Sequence, residues 1–62
     1  MRMGEIEIRD YARQLLDAYG DKAVVTAAQR ACRYEKRGQT EDAETWRHIE
    51  SVLKVMRGPN VS

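Results

Sequence analysis

The sequence predicts an all-α protein: three short helices in a small bundle, completed by dimerisation. Three observations predict it. Apolar residues recur at intervals of three and four along most of the chain, the period of a helix with one buried face. Glycines stand at Gly20, Gly38 and Gly58, where each apolar period stops. No β-rich run interrupts the pattern, because the only alternation, Ile6 and Ile8, is too short to make a strand.

The first helix is expected over about 5–19. Ile8, Tyr11, Ala12, Leu15, Leu16 and Tyr19 form its apolar face, and Arg9, Asp10, Arg13, Gln14 and Asp17 fall opposite. Glu5 and Glu7 sit in the first turn, where acids complement the positive end of the helix dipole. Residues 1–4 lack a periodic apolar residue and are expected to fray. Gly20 can end the helix at a conformation that costs other residues more, and Asp21 can then N-cap the next one. A helix end abutting a helix start leaves room only for a sharp corner.

The second helix is expected over about 22–37. Ala23, Ala27 and Ala31 repeat at four, Ala28 and Cys32 occupy the neighbouring row, and Val24, Val25 and Tyr34 are larger apolar groups. Such a face of small side chains lets other helices come close, so this helix is read as lying between the other two. Lys36 and Arg37 close it and Gly38 follows. Thr40 is then read as the N-cap of a third helix over about 41–57, with Glu41 and Asp42 in its first turn. Trp46, Ile49, Leu53 and Met56 repeat at three and four as an a/d seam, with Val52 and Val55 on one flank. Gly58 and Pro59 end it and 60–62 form a tail.

The chain has 62 residues, enough for one domain that buries only about 60% of its unfolded surface. A core that small needs a supplement. The single cysteine, Cys32, excludes an internal disulfide, and one histidine, His48, leaves too few soft ligands for a structural metal. Regular packing and oligomerisation remain. Leu16, Val25, Val52 and Val55 lie off the main seams, so part of the apolar set is expected to stay exposed in a monomer. A homodimer is expected, with helix 3 or the alanine face of helix 2 at the two-fold axis; the alternative is that these residues close a small monomeric bundle. The interface is assigned to Trp46, Ile49, Val52, Leu53, Val55 and Met56, with a partner protein as the alternative to a second copy.

Composition excludes several function classes. The amino terminus has no apolar run of 7 to 15 residues, so no signal peptide is expected, and no segment approaches the roughly 20 apolar residues of a membrane span. Cys32, read at the inner edge of helix 2 as a small buried hydrophobe, suits a reducing cytoplasm. Eleven basic and ten acidic residues leave a net charge of +1, far from the balance of a dedicated nucleic-acid binder. The chain is too short to enclose a catalytic pocket, so no enzyme, cofactor or metal is expected. A Cys32–His48 thiolate pair is chemically conceivable, but an exposed His48 beside the seam is the simpler reading. The acids Glu41, Asp42 and Glu44 are explained by the helix dipole.

One stripe has chemistry to offer. Arg30, Arg33, Lys36 and Arg37 share the outer side of helix 2 and are candidates for contacting phosphates, with binding that weakens as salt rises. A helix-turn-helix is not indicated. Tyr34 and Leu16 stand four residues before the two turn glycines, where a small residue is needed, and the acids opening helix 3 would repel a phosphate backbone.

The order Gly20-Asp21-x-Ala23, then a helix, Gly38, and Trp46-x-x-Ile49 resembles a group of short uncharacterised helical proteins of alphaproteobacteria and their phages. The likeness runs from Tyr19 onward and implies a bacterial cytoplasmic origin, without an activity to carry over. The expected function is therefore a non-enzymatic interaction or regulatory module acting through helix–helix contacts. The alternative is a nucleic-acid-associated regulator using the basic face of helix 2.

Overall fold

In the computed structural model, which describes residues 4–56, the three apolar periods become three helices: α1 (Glu5–Tyr19), α2 (Lys22–Lys36) and α3 (Thr40–Met56). Gly4, expected to fray, instead caps α1. Its backbone is extended, its N–H donates to the Glu7 carboxylate at 2.9 Å, and its carbonyl accepts from the Ile8 N–H at 2.9 Å. This is the half of a capping box that needs no side chain on the cap residue. The fraying expected for residues 1–3 falls outside the described residues.

The corner between α1 and α2 is made by Gly20 at φ 62°, ψ −132° and Asp21 at φ −62°, ψ −22°. These are the dihedrals of the two central residues of a type II′ turn, whose first position favours glycine. The Gly20 N–H donates to the Leu16 carbonyl at 2.8 Å, and the Gly20 carbonyl accepts from the Ala23 N–H at 3.0 Å. Asp21 does not cap α2 with its side chain, contrary to the expectation. A capping carboxylate normally starts from an extended backbone, and Asp21 is already helical.

At the other end of α2 the Gly38 N–H donates to the Glu35 carbonyl at 3.1 Å and the Gln39 N–H to the Tyr34 carbonyl at 3.0 Å. With Gly38 at φ 78°, this is a Schellman motif, which satisfies carbonyls that the helix end would leave bare. The Ala43 N–H donates to the Gln39 carbonyl at 3.0 Å, so Gln39, one residue before Thr40, holds the cap position of α3. The expected stop at Gly58 and Pro59 lies outside the described residues.

One cluster holds the core. It takes Ile8, Ala12 and Leu15 from α1, Ala23, Ala27 and Ala31 from α2, and Trp46, Ile49 and Leu53 from α3. Ala43 is buried beside them on α3. The three α2 alanines are fully shielded, which brings the α2 backbone close to its neighbours as their small size predicted. The central helix, however, is α3 and not α2: it packs most extensively on α2, next on α1, and α1 and α2 meet least. The reason is side-chain size. A row of alanines can receive a neighbour but cannot reach two, whereas Trp46, Ile49 and Leu53 project far enough to fill the space on both sides. Ile49 and Leu53 are fully buried, each worth about 1.5–3 kcal/mol of transfer free energy.

Trp46 is enclosed from two directions. Tyr11 of α1 meets its ring edge to face, with centroids 5.6 Å apart and planes at 72°. The Arg30 guanidinium of α2 lies 5.1 Å from its centroid. All three helices therefore converge on this indole.

Candidate functional site

The six residues assigned to an interface divide between core and surface. Trp46, Ile49 and Leu53 are buried within the chain itself, while Val52 and Met56 are half-buried and Val55 is 76% exposed. The alanine face of α2 is likewise buried inside the chain, which removes it as a surface for a two-fold axis. The division follows from helical geometry: positions 46, 49 and 53 form one stripe, and 56, 52 and 55, in that order, lie progressively round the cylinder from it.

Val52, Val55 and Met56 border a shallow groove of about 370 Å³ between α1 and α3. Val52, Val55 and Met56 line it from α3, together with His48 and Ser51, and Glu5 and Arg9 line it from the first turns of α1. Ile6, 78% exposed, lies beside Arg9 on α1. The α1 half of this surface was not singled out from sequence. Its only local signal was Ile6, an apolar residue off the apolar face of an otherwise one-sided helix.

The phosphate-contact candidates also divide. Arg30 is turned to Trp46, with its Cζ over the indole ring. Arg33 and Lys36 border a second shallow depression with Gln29 and Cys32, and Arg37 is exposed at the end of α2. Glu35, which sits among these cations on α2, is directed at Arg47 of α3. The Arg47 Nε and Nη2 donate to its two carboxylate oxygens at 3.2 Å each, and Nη1 donates to Glu50 at 3.1 Å. Lys54 extends the chain of charges, 3.5 Å from the other Glu50 oxygen. The hydrogen bond from Glu35, then that from Glu50, raise the Arg47 pKa further above its ordinary value, so this guanidinium stays charged at any working pH. The acids taken up by Arg47 leave the α2 stripe basic.

Cys32 is exposed, which corrects its reading as a buried hydrophobe. Ala31 takes the inward direction, and the next residue round a helix points about 100° away from it. His48 lines the α1–α3 groove and Cys32 the α2 depression, so the structure assigns them to different surfaces and not to one pair. Among the described residues no group of His, Cys, Asp and Glu is placed to hold a metal ion, and no helix is long and apolar enough to cross a membrane. No known protein family, curated protein or solved structure matches the chain.

Proposed function

We propose that this protein is a small, non-enzymatic interaction module that works by helix–helix contact, binding first a second copy of itself and through that assembly regulating a partner. The observation that carries the reading is the exposed apolar edge of α3. Val55 is 76% exposed next to Val52 and Met56, over a groove, a contiguous apolar surface of the kind that marks an interaction site. An exposed lone cysteine suits a reducing compartment, which supports a cytoplasmic setting and accords with the resemblance to short alphaproteobacterial and phage proteins. Sedimentation equilibrium tests the reading: the wild type is a dimer at micromolar concentration, and Val55→Asp or Val52→Asp gives a monomer with unchanged helix content by circular dichroism. A wild type already monomeric at high micromolar concentration removes self-association from the proposal.

A second reading is favoured by one observation. Arg33, Lys36 and Arg37 keep an exposed basic face on α2 because Glu35 is engaged with Arg47. Such a face suits phosphate contact in a nucleic-acid-associated regulator, and each contact adds about one unit of salt-dependence slope. Retention of duplex or RNA that falls steeply with salt, and that Arg33→Gln with Lys36→Gln abolishes, supports it. Absence of retention at low salt ends it.

A further inference from the structure

We propose that the α1–α3 groove docks a second copy of this chain across a two-fold axis, with Glu5 of each protomer paired to Arg9 of its partner. The inference rests on the self-association reading above and names its surface and its polar contacts. The floor is apolar, from Val52, Val55 and Met56, and the exposed Ile6 stands on α1 three residues before Arg9, on the neighbouring row. Among the described residues the rim carries one acid and one base, Glu5 and Arg9, four residues apart on one row of α1 and so about 6 Å apart. Among the described residues neither has an ion-pair partner within the chain.

That charge pattern selects the occupant. In an isologous interface the same patch meets itself, so every contact from i to j recurs from j to i. A rim of one sign would repel its own copy. A rim of one acid and one base in a row complements itself when the two rows run in opposite directions across the axis. It forms two reciprocal pairs at the edge of an apolar centre, the usual anatomy of a specific interface. The outer side of α2 fails this test, because Arg33, Lys36 and Arg37 would face their own copies with like charge.

The experiment is a charge exchange read by sedimentation equilibrium. Glu5→Arg alone, and Arg9→Glu alone, place like charges opposite each other and are expected to weaken the dimer about tenfold. An equimolar mixture of the two variants restores opposite charges at both contacts, and the heterodimer is expected to recover to within about threefold of wild type. A wild-type dimer that neither reversal weakens, or a mixture no tighter than its components, overturns this interface while leaving helix–helix association standing. A wild type that stays monomeric overturns both. Should a reversal unfold the chain, isotope-filtered NOE spectra of labelled and unlabelled wild type decide. Intermolecular contacts at the Val52 and Val55 methyls support the docking; contacts there only from residues 57–62 of the same chain, or intermolecular contacts confined to another face, overturn it.

Discussion

Trp46 is the side chain on which the three helices agree. It gives its ring edge contact to Tyr11 and its face to Arg30, and it lies in the same cluster as the α2 alanines. Deleting a buried indole usually costs about 3–5 kcal/mol, because the cavity left behind collapses only in part. A domain of this size holds a total stability of only about 3–9 kcal/mol at 0.05–0.15 kcal/mol per residue. Trp46→Ala is therefore expected to remove about half or more of that stability, seen as a large drop in the urea midpoint of the helical circular dichroism signal. Arg30 plays a lesser part. An exposed cation over an aromatic face contributes about 0.5–1 kcal/mol, so Arg30→Ala should lower the urea midpoint slightly. It should also shift Trp46 emission to the red as water gains the ring face. A Trp46 emission unchanged in Arg30→Ala would contradict the cation–π contact.

The helices end where glycine permits a backbone that other residues resist, and the two corners differ in kind. Gly20, at φ 62° and ψ −132°, occupies a region that residues with a Cβ reach only at a cost of about 1–3 kcal/mol. Gly38, at φ 78°, closes a Schellman motif, where left-handed backbone costs an L-residue about 1–2 kcal/mol. Beyond the adjoining residues of the chain, no atom stands within 4 Å of a Cβ built at either position, so the cost is conformational in both. Gly20→Ala and Gly38→Ala are both expected to lower stability, measured by urea unfolding. Asparagine, which tolerates left-handed backbone, should recover part of the loss at Gly38 and less at Gly20. Both corners were legible because glycine interrupts an apolar period there. The Asp21 cap was not borne out, since a helical φ and ψ at the cap residue is a property of the turn and not of aspartate. Cys32 was misread for a related reason. Two adjacent rows on α2 were both small and apolar, and only the position of α3 decides which row turns inward.

At the scale of the molecule, periodicity and glycine placement carried the three helices and most of the core. The surface was less legible, because the groove joins the first turns of α1 to the last turns of α3, elements about 50 residues apart in sequence that only packing brings together. The same packing takes Trp46, Ile49 and Leu53 of the a/d seam into the core and leaves Val55, on its flank, outside; the register separates these positions but does not say whether the seam faces the chain's own helices or a partner. A core this lean gives self-association a thermodynamic consequence. If the native chain binds a second copy and the unfolded chain does not, mass action adds stability that grows with concentration. For a dimer, a tenfold rise in concentration contributes about 1.4 kcal/mol per dimer, or about 0.7 kcal/mol per chain. In a domain of this size that raises the melting temperature by roughly 3–6 °C. Val55→Asp removes the association without touching the buried stripe, so its melting temperature should not move with concentration. At high dilution its curve should converge on that of the wild type. Scanning calorimetry over two decades of concentration reads both, and wild-type curves that superimpose throughout would falsify a stability shared between two chains.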